Sequence, residues 1–200
     1  SSTQVPGLIR DALADLLGIP AHSVRVVAPD VGGGFGAKSA LYPEELAVAA
    51  LSMRLGRPVK WTGDRREDLL ATTQAWDELI DAELALAPDG AILGLRARVI
   101  ADVGAYSIYP WTASIEPIQT ISFLPGPYRV PHYRGRAFGV ATNKAPMGPY
   151  RGVARPVSTF VTEALLDRAA RRLRMDPAEL RLRNFIRPEE FPYTSPSGVV

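Results

Sequence analysis

Residues 82–101 run Ala82-Glu83-Leu84-Ala85-Leu86-Ala87-Pro88-Asp89-Gly90-Ala91-Ile92-Leu93-Gly94-Leu95-Arg96-Ala97-Arg98-Val99-Ile100-Ala101. Ala82, Leu84 and Leu86 alternate with polar or small neighbours, and Pro88-Asp89-Gly90 has turn chemistry. Leu93, Leu95, Ala97, Val99 and Ala101 then alternate with Arg96 and Arg98. Side chains along a strand point to opposite faces in turn, so residues 76–101 are expected to form a hairpin with one buried and one wet face.

Outward from the hairpin, helical and extended signals alternate. Ser2-Thr3 can cap a first helix with Leu8, Ala12, Leu16 and Leu17 inward and Gly18 at its end. Val24 to Ala28 reads as a buried strand. Pro43 opens a second helix, with Leu46, Ala49, Ala50 and Met53 inward and Gly56 as its stop. Pro58 to Thr62 reads as a short strand and Arg66 to Leu70 as a helical turn. Downstream, residues 107–127 are rich in proline and aromatics and read as an irregular loop. Arg134 to Thr142 returns as a strand, and residues 145–156 form a second loop. A long helix is expected from Val157 to Leu173, with Phe160, Val161, Ala164, Leu165 and Ala169 inward. Asp176-Pro177-Ala178-Glu179 carries the cap of a last helix reaching about Phe185. The expected fold class is therefore α+β, a mixed or antiparallel sheet packed with helices. It occupies one domain over residues 1–187, and residues 188–200 form an extended tail.

Composition narrows the chemistry. Of 200 residues, 46% are apolar and 22% charged, as in an ordinary globular domain. There is no cysteine, which excludes disulfides, thiolate metal sites and iron–sulfur ligation by this chain. His22 and His132 are the only histidines, too few for a typical zinc site, so no protein-held metal is expected. A net charge of +2 does not argue for nucleic acid. No stretch approaches the roughly 18 apolar residues of a membrane span, and no signal-peptide pattern opens the chain, which points to the cytoplasm.

The sharpest local feature is Gly32-Gly33-Gly34-Phe35-Gly36-Ala37-Lys38. Four glycines in five positions remove Cβ atoms and admit positive φ, so that successive backbone N–H groups can face an anion. A phosphate-binding P-loop would need a glycine where Ala37 stands and a helix directly after Lys38-Ser39, whereas the next helix signal is at Pro43. A kinase-type glycine loop lacks its companion motifs here. The second feature is Pro149-Tyr150-Arg151-Gly152-Val153-Ala154-Arg155-Pro156. An arginine in such a loop, just before a helix, can stabilise charge developing on a ligand oxygen or can simply pack on the helix cap.

Taken together, the two loops resemble the molybdenum-cofactor-binding large subunit of the xanthine dehydrogenase and aldehyde oxidase family. Ser2-Thr3-Gln4, Leu17-Gly18-Ile19-Pro20, Val24-Arg25-Val26 and the glycine loop follow that family's order. So do Arg57-Pro58-Val59-Lys60, Arg65-Arg66-Glu67-Asp68, Asp102-Val103-Gly104-Ala105-Tyr106, Thr142-Asn143 and Tyr150-Arg151-Gly152. Glu163, Asp167 and the segment from Asp176 to Asn184 resemble its closing helices. The resemblance implies the first molybdopterin-binding domain of a molybdenum hydroxylase. Such enzymes hydroxylate aldehydes, purines or N-heterocycles with water as oxygen source. Their molybdenum sits on a pterin dithiolene with oxo, sulfido and hydroxide ligands, usually in the cytosine dinucleotide form in bacteria. Electrons leave through a [2Fe–2S] subunit and a flavin (FAD) subunit. The resemblance places Gly33, Gly34, Phe35 and Gly36 against the pterin and the molybdenum ligands. It makes Arg151 the group that stabilises negative charge on substrate oxygen, and Gly152 the residue that lets backbone approach the cofactor.

The chain departs from that pattern in four ways. Carbon-monoxide-oxidising members carry a copper-binding cysteine in the arginine loop, and this chain has none. Ala154 stands where many members have glycine, and its methyl is expected to crowd the cofactor or shift the loop. Ser39 stands where many have glutamate. The general-base glutamate of the family lies hundreds of residues further on and has no counterpart here, so the chain is expected to be a fragment, an excised domain or one piece of a split subunit, inactive alone. Two other readings stay open: a non-catalytic scaffold or interaction domain derived from that family, and a P-loop-like nucleotide-binding protein.

Overall fold

In a computed structural model that describes residues 1–200, the hairpin forms between β1 (Glu78–Leu86) and β2 (Ile92–Gly104). The strands are antiparallel, with Glu78 opposite Ala101 and Leu84 opposite Leu95. The register slips between Ala85 and Leu86: Ala85 faces Gly94, and Leu86 faces Ile92. The slip leaves Leu93 unpaired and 48% exposed, while Ile92 turns inward with Leu95, Ala97, Val99 and Ala101. Strict alternation therefore holds from Leu95 onward and fails at the turn. A third strand, β3 (Tyr133–Ala141), lies beside β2 in the order β1-β2-β3.

The chain folds into two compact units whose segments interleave in sequence. One comprises Ser1–Ala75, Val103–Ala113 and Ala141–Arg151, the other Trp76–Asp102, Ser114–Val140 and Gly152–Val200.

The second unit holds the sheet core. Ile92, Leu95 and Ala97 pack with Leu124, Tyr128, Val130, Leu166, Ala170 and Leu180. In the order of the chain, the helices are α1 (Pro6–Leu17), α2 (Pro43–Leu55), α3 (Arg65–Ala71), α4 (Ile115–Phe123), α5 (Arg155–Leu173) and α6 (Pro177–Asn184). The span expected to be an irregular loop thus contains α4. Pro117 sits in its first turn, where the missing N–H would have had no intrahelical acceptor. Helix α5 begins two residues before Val157, and its buried stripe is Ser158, Thr162, Leu166 and Ala170. Phe160, expected inside, is 73% exposed. The physical reason is hydrogen bonding: Ser158 Oγ donates to the Thr120 carbonyl (2.9 Å) and Thr162 Oγ1 to the Leu124 carbonyl (2.6 Å). The C-terminal carbonyls of α4 would otherwise be buried without partners. Helix α6 starts as expected, the Asp176 carboxylate accepting the N–H groups of Ala178 (2.8 Å) and Glu179 (3.0 Å). It is tied to α5 through Arg181, which donates to Glu163 (2.7 Å) and Asp167 (2.8 Å), while Tyr128 donates its hydroxyl to Glu163 (2.7 Å). Burial, then the hydrogen bond to Glu163, pushes the Tyr128 phenol above its ordinary range.

In the first unit, α1 ends at Gly18 in the left-handed conformation. Its buried residues are Ile9, Ala12, Leu13 and Ala14, and the expected inward Leu8 and Leu16 are exposed. Thr3 does not cap the helix; it is buried and donates to the Lys38 carbonyl (3.3 Å). Helices α2 and α3 form where expected, though Met53 faces outward. Val24 to Ala28 and Pro58 to Thr62 are extended but pair with no strand, because no neighbouring ladder is offered to them. Met147 is fully buried; its N–H donates to the Val103 carbonyl (3.1 Å) and it bridges Gln74. These bonds fix the approach of the chain to Arg151.

Candidate functional site

Within the first unit, the glycine loop is shaped by two short turns. The Ala37 N–H donates to the Gly34 carbonyl (2.9 Å), and the Ser39 N–H to the Gly36 carbonyl (3.0 Å). Gly33 has φ +128°, Gly36 φ +106°, and Phe35, though not glycine, φ +49°. The Phe35 ring folds back over Gly33, where a Cβ would fall 2.7 Å from Phe35 Cε2. The N–H groups of Gly32, Gly33, Gly34 and Phe35 have no acceptor in the chain. Four successive donors are thus left on a loop held by its neighbours, which suits an anion.

The arginine loop docks directly on this one. The Arg151 N–H donates to the Phe35 carbonyl at 2.8 Å. Gly36 lies so close to Pro149 that a Cβ there would be 2.2 Å from the Pro149 carbonyl oxygen. Lys38 and Arg151 bring two cationic side chains to the loops, and neither is matched by a carboxylate. Of the residues singled out in the sequence, Gly33, Gly34, Phe35, Gly36 and Arg151 are brought together here.

Gly152, next in the chain, belongs to the second unit. It has φ +92°, and a Cβ there would meet the Pro156 ring at 2.8 Å. Val153 follows at φ +52°, a left-handed conformation that a β-branched residue adopts only under constraint. Ala154 has right-handed backbone (φ −80°, ψ −7°), and its methyl is fully buried. It packs in the core, in a backbone conformation that needs no glycine.

Sequence reasoning missed several supports of the loop. Gln4 accepts the Gly36 N–H through Oε1 (2.9 Å) across 32 residues, and no local pattern signals that. Tyr42 donates its hydroxyl to the Ala37 carbonyl (2.6 Å). Ser39, which stands where many family members have glutamate, is buried, donates to the Gly36 carbonyl (2.6 Å) and accepts from Trp111 Nε1 (3.0 Å). A P-loop serine must face a phosphate-bound cation from the start of a helix; this one braces a turn, and the helix starts only at Pro43. Beside the loop, Leu41, Tyr42, Leu46, Tyr106, Ile108 and Tyr109 line an apolar cavity of about 240 Å³.

Comparison with known proteins gives a consistent result. The family model described as "Molybdopterin cofactor-binding domain" matches residues 1–185. The nicotine 6-hydroxylase large subunit of Paenarthrobacter nicotinovorans is 40% identical over 200 residues, covering 100% of this chain and 24% of the relative. The carbon monoxide dehydrogenase large chain of Hydrogenophaga pseudoflava is 43% identical, covering 98% of this chain and 25% of the relative. The crystal structure of quinoline 2-oxidoreductase from Pseudomonas putida 86 superposes with a TM-score of 0.96 at 45% identity, covering 98% of this chain and 25% of that one. The chain thus spans about a quarter of the length of these relatives.

Proposed function

The chain belongs to the family of molybdopterin cofactor-binding domains, and from that premise we propose that it supplies the glycine-loop and arginine-loop part of the cofactor site of a molybdenum hydroxylase large subunit. The observation that carries this reading is the backbone contact between the loops: Gly36 against the Pro149 carbonyl, and Arg151 N–H on the Phe35 carbonyl. The residues present fit the group. Four unpaired N–H donors and two uncompensated cations suit a phosphate-bearing, oxygen-rich ligand.

Gly33, Gly34 and Phe35 would lie against the cofactor, their backbone donors fixing its orientation. Gly36 belongs to the site as the glycine that lets the two loops touch, and Gly152 keeps the next stretch of backbone slim. When bound, the molybdenum cofactor supplies the oxidation of a substrate carbon with oxygen drawn from water; the protein supplies binding and electrostatics. Arg151 holds its guanidinium beside that chemistry and donates hydrogen bonds to a substrate oxygen gaining negative charge. The proton-abstracting glutamate would come from the remainder of the large subunit.

The cofactor would be the cytosine dinucleotide form. Electrons would pass to a [2Fe–2S] subunit and a flavin (FAD) subunit, because this chain has no cysteine to hold a cluster. No helix is long and apolar enough to cross a membrane, and a cytoplasmic location goes with this assignment. Copper–thiolate chemistry on carbon monoxide is not open to a chain without cysteine. The relatives named for nicotine and quinoline favour an N-heterocycle as substrate.

The test is the full-length protein from a host that makes the cofactor. About one molybdenum per subunit and a cytidine-containing pterin are expected, and Arg151→Ala should lower kcat about 100-fold with molybdenum content unchanged. A protein free of molybdenum from such a host would instead support the non-catalytic scaffold.

A further inference from the structure

The wet face of the sheet carries an ordered pattern of charge. On β1, Asp81 and Glu83 stand opposite Arg98 and Arg96 of β2 and pair with them, Asp81 at 3.9 Å. On β3, Arg134 and Arg136 are exposed, and Phe138 and Val140 follow at the same two-residue period, each 46% exposed. The Arg98 guanidinium lies 5.5 Å from the centre of the Phe138 ring, so the two strands present these side chains on one face. From β1 to β3 the face therefore runs acid, base, base. Neither Arg134 nor Arg136 has a carboxylate within reach in the chain.

The next place in that pattern is an open edge. Strand β3 is last in the order β1-β2-β3, and an edge strand turns alternate backbone groups away from its sheet. From Arg134 to Val140 no backbone N–H or C=O is taken up by a loop, a turn or a side chain. Charged residues on an edge can serve simply to keep other strands off. Here they do more, because exposed apolar residues continue the same row and would invite a neighbour. A second copy of β3 would set arginine against arginine. A nucleic acid backbone would meet Asp81, Glu83 and two apolar side chains. The chemistry that fits is an extended polypeptide with carboxylates at alternate positions.

Resting on the reading of this chain as part of a longer large subunit, we infer that β3 is joined in the full-length protein by an acidic extended segment from the remainder of that subunit. Asp or Glu side chains at alternate positions of the segment face Arg134 and Arg136, and an apolar residue faces Phe138. Backbone hydrogen bonds along the edge hold the segment, and the ion pairs set its register, since a slip of one residue would turn every carboxylate to the other face.

The experiment uses the full-length protein as purified from its host. Arg134→Lys and Arg136→Lys keep the charge and add an amine that a carbodiimide couples to a touching carboxylate. Cross-links to one acidic segment of the large subunit, outside residues 1–200, are expected. Hydrogen exchange resolved by residue over β3 is the second measurement. The amides turned away from β2 are expected to exchange as slowly as those turned toward it. The double variant Arg134→Glu, Arg136→Glu is expected to speed the outward amides about tenfold or more, leaving those of β1 and β2 unchanged. Rapid outward exchange in the unsubstituted protein, exchange indifferent to the charge reversal, or no cross-link overturns the inference and leaves the arginines as guards of a free edge. Cross-links to a different subunit overturn the assignment of the segment to this one. Neither measurement depends on the cofactor, so a full-length protein without molybdenum would end the cofactor reading and leave this test intact.

Discussion

Replacing Gly36 with alanine is expected to prevent cofactor loading and to cost the fold about 2–4 kcal/mol, the sum of two effects. The backbone at Gly36 has φ +106°, a region that L residues with a Cβ scarcely enter, and forcing one there costs about 1–3 kcal/mol. The methyl would also stand 2.2 Å from the Pro149 carbonyl oxygen and 2.7 Å from its carbon. Both partners are backbone, so no side-chain rotation relieves the overlap. The loops must separate, and the Arg151 N–H···Phe35 bond of 2.8 Å is lost with them, worth about 1 kcal/mol. Gly7→Ala is the control: that glycine lies in α1 with nothing within 4 Å of a new Cβ, and alanine should be neutral or stabilising there by up to about 1 kcal/mol. Urea unfolding and molybdenum content of the two variants check this. A Gly36→Ala protein as stable and as well loaded as its parent would mean that the loops do not need their contact.

The same contact shows what a sequence can and cannot tell. Both loops were legible, because four glycines in five positions and an arginine among prolines and glycines are unusual compositions. The hairpin was legible because a two-residue period has one structural meaning. Its turn was not, because the slip at Ala85/Leu86 exchanges Ile92 for Leu93 without altering composition. Helix α5 was placed correctly, but its face was not. Apolar periodicity favoured Phe160 and Val161, whereas the buried stripe includes Ser158 and Thr162, whose hydroxyls serve carbonyls of a helix 38 residues away. That helix, α4, was hidden by Pro117, which is harmless in a first turn, and by prolines that lie outside the helix. Gln4 was missed for a related reason. A side chain that satisfies a distant backbone group leaves no periodic trace, and its role exists only once the chain has folded back on itself. Val24 to Ala28 is the converse case: an apolar run states that a face can be buried, not that a neighbour is there to bury it.

Glu116→Gln is expected to stabilise the protein at alkaline pH. Glu116 lies on α4 with no exposed surface, and neither carboxyl oxygen has a hydrogen-bond partner. Burial, and secondly the charge of Glu78, push its carboxyl up to about 7 from an ordinary 4.5. Glu78 is itself raised by burial, partly offset by the hydrogen bond its Oε2 accepts from Thr120 (2.9 Å). The folded state therefore holds a proton at Glu116 that the unfolded chain has already released. Stability from this group is fully present below about pH 4.5 and is lost as pH rises through about 7, after which the penalty is constant. Each tenfold change in proton affinity between the folded and unfolded chain is worth about 1.4 kcal/mol, so the loss between about pH 5 and pH 8.5 is roughly 2.5 kcal/mol. Glutamine is nearly isosteric with the protonated carboxyl and cannot ionise. The variant should lack that loss, and Glu78, freed of a like charge, should ionise more easily. Urea titrations of both proteins at the two pH values give the comparison. If Glu116→Gln lost as much stability between them as its parent does, Glu116 would have to be ionised and compensated in the fold.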